Sequence, residues 1–265
     1  MRSNYLNDKF ERLIDYMRRL GKVAVMLSGG VDSSLLAYLA ATWLGRENTI
    51  AVTVKSPLTY KRDLDDAHRI ADMLRLKHLI VEVNELLNHH VKLNTPLRCY
   101  HCRKMRVSAI KNMLAELGLS DYKLIDGTNA DEVYGRPGIK ALREEGVLSP
   151  YLIFNISKSE IRRMAYEVHL DVASKPPNSC KATRMEVFIE LNLSVLSAVE
   201  ELEEELRELL GDVAIRARVV DGYVRVEIPE DVMKIVYERR QEINELAKAK
   251  GFNGALLSLK PYVRS

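Results

Sequence analysis

Apolar positions along the chain alternate between short runs of strand length and longer helical stripes. The runs fall at 23–27, 49–54, 78–83 and 122–126, and helical patterns separate them at 33–44, 61–75 and 103–117. A further amphipathic stripe over 5–20 precedes the first run. Strands and helices alternating at this spacing predict a parallel sheet covered by helices on both faces. Ser157 and Glu160 in the sequence SKSE predict a capping box that opens a helix to about residue 168.

Near residue 190 the pattern changes. The stretch LSAVEELEEELRELLG reads as an acidic amphipathic helix ending at Gly211. Two strand patterns, AIRARVV and YVRVEI, then flank Asp221-Gly222, a strong signal for a tight hairpin. A helix over about 230–250 and a last strand, GALLSLK, complete an α-β-β-α-β unit. The expectation is an α/β domain over 1–190 with a parallel, Rossmann-like sheet, and a small α+β domain over 191–265. A chain of 265 residues is long enough for both.

Charge and hydropathy narrow the partners. The formal net charge of +3 gives no strong case for nucleic acid. No segment approaches the roughly 20 apolar residues of a membrane span, and the N-terminal stretch lacks the core of a secretory signal. A cytoplasmic protein without a membrane partner is expected.

One junction carries chemistry. In KVAVMLSGGVDSSLLAYLAATW, Lys22 to Trp43, a buried strand runs through two glycines, an aspartate and three serines straight into an apolar helix. Such a turn points backbone N–H groups outward at a helix N-terminus, which suits an anion and phosphate above all. A Walker loop would need a lysine after the glycines, and a dinucleotide fingerprint would need Gly-x-Gly-x-x-Gly; both patterns are missing here. A tight turn without a ligand would explain Gly29 and Gly30, but it leaves Asp32 and three hydroxyls without a task.

Three cysteines form a second constellation. Cys99 and Cys102 stand in NTPLRCYHCRK, at an expected loop-to-helix junction, and Cys180 stands in the proline-rich KPPNSCKATR. An odd number of cysteines in a reducing compartment argues against a disulfide framework and for metal or catalytic use. Zinc would want a fourth ligand, and His101 lies between the first two thiols. An iron–sulfur cluster on three thiolates would leave one iron open for chemistry. Three unrelated buried thiols are the bland alternative.

SGGVDSS resembles the signature of the PP-loop ATP pyrophosphatases, whose fold is the Rossmann-like, HUP-type sheet. That resemblance implies that Ser28, Gly29, Gly30, Ser33 and Ser34 bind pyrophosphate of ATP, that Asp32 helps to hold Mg²⁺, and that Ala51 to Val54 border the adenine. Three further segments, DGTNADEVYGRPGIKALREEGVLSPY (Asp126–Tyr151), SCKATR (Ser179–Arg184) and RARVVDGYVRVEIPED (Arg216–Asp231), together with the loop resemble the LarE sulfur transferases over nearly the whole chain. The LarE resemblance implies a nucleotide site lined by Gly127, Thr128, Asn129 and Asp131, and a sulfur centre at Cys180. It also implies that Arg216 and Arg218 hold the phosphate of a pyridinium mononucleotide, with Glu227 and Arg184 serving the active site.

That family has two designs. In one, a single cysteine gives up its own sulfur; in the other, three cysteines hold a 4Fe–4S cluster that carries an extra sulfide. The Cys-x-x-Cys pair implies the cluster design, with Cys99, Cys102 and Cys180 as ligands. The chain departs from the common pattern in placing Arg103 before Lys104 and in ending at PYVRS.

The expected activity is therefore ATP-dependent sulfur transfer, with AMP and pyrophosphate released. The expected substrate is pyridinium-3,5-dicarboxylate mononucleotide, used in making a nickel-pincer nucleotide. By resemblance the protein is a homo-oligomer, a hexamer. The alternatives are tRNA thiolation, amide formation with ammonia, and a non-catalytic nucleotide-binding sulfur carrier. The first would need a nucleic-acid surface, which neither the net charge nor a dedicated zinc or RNA-binding module supports, and the second gives the cysteines no task.

Overall fold

Short runs of Val, Ala and Ile become strands because they are buried on both faces, where β-branched side chains pack well. A computed structural model of the chain describes residues 2–132 and 135–262, so Val133 and Tyr134 of the long family segment and the final Val263–Ser265 lie outside the described residues. The elements run α1 (Arg2–Leu20), β1 (Val23–Met26), α2 (Val31–Trp43), β2 (Thr49–Lys55), α3 (Lys61–Met73), β3 (Lys77–Glu82), α4 (His89–Lys92), α5 (Arg98–Glu116) and β4 (Lys123–Ile125). There follow α6 (Pro137–Glu144), α7 (Pro150–Ile153), α8 (Lys158–Glu167), α9 (Leu193–Leu210), β5 (Arg216–Val220), β6 (Tyr223–Glu227), α10 (Met233–Glu238), α11 (Arg240–Ala249) and β7 (Ala255–Leu257).

The chain forms two compact units, one of residues 1–84 and 99–175, the other of 85–98 and 176–265. In the first unit, β3, β2, β1 and β4 lie side by side in that order, and every pair is parallel. Alternation along the strands sends side chains to two cores. Val23, Val25 and Ala51 pack with α1, α2 and α3 on one face, through Leu13, Met17, Leu35, Leu36 and Ile70. Ala24, Ile50, Val52 and Leu124 pack on the other with Val107, Ile110 and Leu114 of α5 and Leu142 of α6. The expected doubly covered parallel sheet is what forms. Helix α8 opens on the capping box read from the sequence, with Ser157 and Glu160 each accepting from the other's backbone N–H.

Two helix starts differ from the pattern. Helix α2 begins at Val31, straight after the glycines, so Asp32, Ser33 and Ser34 lie in its first turn. Helix α5 begins at Arg98, not 103, because the Arg98 N–H closes a turn onto the Thr95 carbonyl at 2.9 Å. Cys99 and Cys102 therefore sit within the helix, three residues apart and on one face.

In the second unit, β5 and β6 pair as an antiparallel hairpin and β7 joins β6 in parallel. Asp221 and Gly222 both have positive φ, as the tight hairpin turn requires. Helix α9 lays Val199, Leu202, Leu206 and Leu210 against Ala217, Val224 and Val226 of the sheet. The expected helix over 230–250 is divided at Arg239 into α10 and α11. Segments 85–98 and 176–190 are tied together here by Asn94, whose buried amide donates to the carbonyls of Ala182, Met185 and Glu186. Among the described residues, no helix is long and apolar enough to cross a membrane.

Candidate functional site

The turn between β1 and α2 is built by close backbone contact. Gly29 has φ +72°, and a Cβ there would stand 2.3 Å from the Asp63 carbonyl of α3. Only glycine meets both conditions. Ser28 and Ser33 brace the loop: the Ser28 N–H donates to Ser33 Oγ at 3.1 Å, and Ser33 Oγ donates to the Gly30 carbonyl at 3.1 Å. Lys175 ties the loop to α3, donating to the Gly29 carbonyl at 3.1 Å and pairing with Asp63 and Asp66. The first N–H groups of α2 have no helical acceptor above them, so the loop offers a row of donors with a positive helix end behind it.

Asp32 pairs with Lys158, which follows the N-cap of α8, through one carboxylate oxygen. Its other oxygen is buried without a hydrogen-bond partner, as are Ser34 Oγ and the Tyr151 hydroxyl. Burial pushes the Asp32 carboxyl above the usual range, against the pull of the Lys158 ammonium. Burial, and then the Asp32 charge, raise the Tyr151 phenol well above its ordinary value. An orphaned carboxylate oxygen of this kind fits a divalent cation, a hard ion that takes oxygen ligands.

The loop after β4 closes on the same turn. A Cβ on Gly127 would meet the Ser33 nitrogen at 2.9 Å, so the chain passes tightly over the start of α2. Asp126 accepts from Thr128 Oγ1 and from Ser149 Oγ, the latter at 2.6 Å. Asn129 Oδ1 accepts from the Asp131 N–H at 3.0 Å, and Asp131 in turn accepts from the Lys158 N–H at 2.7 Å. Gly127 and Asp131 thus lie on one loop bound to the turn and to α8. On β2, the Val54 carbonyl accepts from Thr59 Oγ1 at 3.3 Å.

Beside it, Thr53 Oγ1 donates to the Leu27 carbonyl at 2.7 Å and meets His78 Nε2 at 2.7 Å. Burial, and then the nearby His68, lower His78 to about 4. The unfolded chain therefore binds more protons than the native one between about pH 4 and 6.5. His78's contribution to stability is complete above pH 6.5 and falls as pH drops through that window. A His78→Gln variant should flatten the unfolding midpoint against pH over this range.

The three thiols form no disulfide. Cys99 is exposed and Cys102 half-buried on α5 of the first unit, and Cys180 is half-buried in the second. Among the described residues no three His, Cys, Asp or Glu side chains are gathered at metal-binding distance. As a donor set, three thiols are the ligands that an iron–sulfur site uses.

Cys180 opens a single 3₁₀ turn, and its carbonyl accepts from the Thr183 N–H at 3.0 Å and from Thr183 Oγ1 at 2.8 Å. Arg184 closes that turn and is fully buried. Its Nε and Nη2 grip both oxygens of Glu203 on α9, at 2.7 and 3.1 Å. The remaining N–H groups reach the Ser179 carbonyl, Thr183 Oγ1 and Asn178 Oδ1. Glu203 also accepts from the Ala217 N–H of β5 at 2.8 Å. The arginine's donors are thus engaged in fastening the cysteine loop to α9 and β5.

Arg216 is nearly buried, donating to the Pro177 carbonyl at 2.5 Å and to Asn178 Oδ1 at 3.0 Å, with its guanidinium over the Tyr262 ring. Burial, and then Arg184, lower its pKa from the ordinary value. Arg218 donates to the Thr183 carbonyl at 2.5 Å and to Glu227 at 2.8 Å. Arg216, Arg218 and Glu227 share one face of the hairpin with Arg225, which sequence reading passed over. Also passed over were Lys158, Lys175, Asn94, Asn178 and Glu203. The lysine after a helix N-cap and the Arg225 register were the signals available for two of them.

Known proteins match this chain along most of its length. The NAD synthase family model matches residues 5–114. The pyridinium-3,5-bisthiocarboxylic acid mononucleotide synthase of Lactiplantibacillus plantarum is 29% identical over 255 residues, 96% of this chain and 91% of its own. An uncharacterized protein of Methanocaldococcus jannaschii is 30% identical over 260 residues, covering 98% of this chain and 94% of that one. An uncharacterized protein of Synechocystis sp. is 32% identical over 260 residues, covering 97% and 96%. Likeness of that extent makes the chain a member of one family with the Methanocaldococcus jannaschii and Synechocystis proteins, and its parallel sheet, whose first strand feeds the SGGVDSS turn, has the Rossmann-like PP-loop fold.

Proposed function

We propose that the protein is an ATP-dependent sulfur transferase that adenylates a carboxylate and exchanges the AMP for sulfur. The observation that carries this reading is the match, over 96% of the chain, to a synthase whose product is a bisthiocarboxylic acid mononucleotide. Carboxylates resist sulfur nucleophiles because their oxygen leaves poorly, and adenylation supplies a better leaving group. In this reading, the N–H groups at the start of α2, within the Ser28–Ser34 turn, and the helix dipole behind them bind the β- and γ-phosphates. Asp32, with its orphaned oxygen, would hold Mg²⁺, which neutralises phosphate charge when bound. Lys158 positions that carboxylate, and Lys175 fixes the turn that carries the donors.

Gly127, Thr128, Asn129 and Asp131 would border the nucleotide together with Val54. Cys180 is assigned to sulfur delivery, with Cys99 and Cys102 as the further thiolate ligands of a 4Fe–4S cluster. Such a cluster, when bound, supplies a sulfide at its open iron. Arg184 acts in this scheme by positioning the cysteine loop, since its donors are engaged within the second unit. Arg216, Arg218 and Glu227 would hold the phosphate end of the substrate, a pyridinium-3,5-dicarboxylate mononucleotide. The test is product analysis with ATP, Mg²⁺ and that mononucleotide. AMP and pyrophosphate should form in equal amounts only when the carboxylate is present; ADP and phosphate would contradict the reading.

A further inference from the structure

A glutamate in a phosphate site poses a charge problem that the hairpin answers. Arg218 and Arg225 stand directly opposite each other across β5 and β6, and Arg216 stands opposite Glu227. Like charges in facing positions repel unless something lies between them. Here Oε1 of Glu227 accepts from Arg218 Nε at 2.8 Å and from Arg225 Nη2 at 3.2 Å. A single carboxylate oxygen therefore orients both guanidinium groups. The opposite face of the hairpin, Ala217, Val224 and Val226, is buried in the apolar core of the unit, so these polar side chains share one rigid surface.

Among the described residues of the two strands, three guanidinium groups against one carboxylate leave two positive charges in excess on that face. Arg184 adds nothing to the balance, because Glu203 neutralises it. Arg218 and Arg225 keep about a third or more of their side-chain surface open, at 34% and 43%, while Glu227 between them keeps 17%. Two excess charges match a phosphomonoester, which carries about −1.5 to −2 near neutral pH. They do not match a phosphodiester, which carries a single charge.

We infer that Arg225 is a third phosphate-binding residue and that, with Arg218 oriented by Glu227, it makes the hairpin selective for a phosphomonoester dianion over a diester. Glu227 acts as an orienting residue, holding both forks before the ligand arrives. The inference rests on the mononucleotide reading above and deepens it, since a site of this charge favours a free mononucleotide over a nucleic-acid backbone.

The experiment is calorimetric titration of the full chain with nicotinamide mononucleotide, with the methyl ester of its phosphate, and with inorganic phosphate. The wild-type protein should bind the mononucleotide about tenfold or more tightly than its methyl ester, the difference that a charge-assisted hydrogen bond makes. Arg225→Gln should lose most of that gap, and Arg225→Lys should recover part of it, which a misfolded hairpin would not. Equal affinities for ester and monoester, unchanged affinity in Arg225→Gln, or no binding of either mononucleotide or phosphate by the wild type would each overturn the inference. Arg225-dependent binding of inorganic phosphate with no binding of the mononucleotide would overturn the monoester selectivity and reject the mononucleotide substrate, whereas loss of sulfur transfer with the monoester preference intact would count against the sulfur-transfer reading alone.

Discussion

Glu203→Ala should destabilise the second unit by about 3–5 kcal/mol, the cost of leaving a buried charge without its counterion. Arg184 and Glu203 are both wholly buried, and their two hydrogen bonds are 2.7 and 3.1 Å long. Removing the carboxylate also frees the Ala217 N–H inside the core, where an unmade hydrogen bond is costly. The urea midpoint of the variant should fall accordingly. A shift below about 1 kcal/mol would mean that water reaches the guanidinium in the native state. The double variant Arg184→Met with Glu203→Leu removes both charges and should regain much of the stability, as apolar replacements of buried pairs often do. It should not regain sulfur transfer, because the Ser179–Thr183 turn that Arg184 fastens would be released.

The second large effect is expected at the loop. Gly29→Ala requires a left-handed backbone that costs an alanine about 1–2 kcal/mol, and it drives a methyl group to 2.3 Å from the Asp63 carbonyl. The carbonyl belongs to α3 backbone, so relief comes only by moving the turn. Displacement of about 1 Å in a phosphate-binding loop can cost on the order of 100-fold in rate. ATP-dependent AMP formation should therefore drop by about that factor while the far-UV spectrum stays native. Gly30→Ala makes the control: its φ is −89° and the nearest atom to a Cβ is the Ser28 hydroxyl at 3.6 Å, so its effect should be much smaller.

The parallel sheet, the glycine turn and the 221–222 hairpin were legible because each has a local signal. Those signals are apolar runs, a motif at a strand end and a dipeptide that accepts positive φ. What was not legible depends on contacts far apart in the chain. Lys158 meets Asp32 across 126 residues and Lys175 meets Gly29 across 146, and nothing in either neighbourhood announces the partner. The sequence places an arginine at 184 beside polar neighbours, yet the fold buries it, because the carboxylate that accepts it lies a helix away on α9. Helix α5 starts earlier than its apolar stripe. The segment from Arg98 to Lys104 is rich in polar residues and carries no periodic signal, so the helix takes in both cysteines just after the loop it follows.

The most direct test of ATP-driven sulfur transfer is mass spectrometry of the product after incubation with ATP, Mg²⁺, a sulfide source and pyridinium-3,5-dicarboxylate mononucleotide under anaerobic conditions. The account predicts replacement of a carboxylate oxygen by sulfur in step with AMP release, and loss of the sulfur product with AMP formation retained in Cys180→Ala. Release of AMP with the carboxylate returned unchanged by the wild-type protein, or full sulfur transfer by the Cys180→Ala variant, would contradict it.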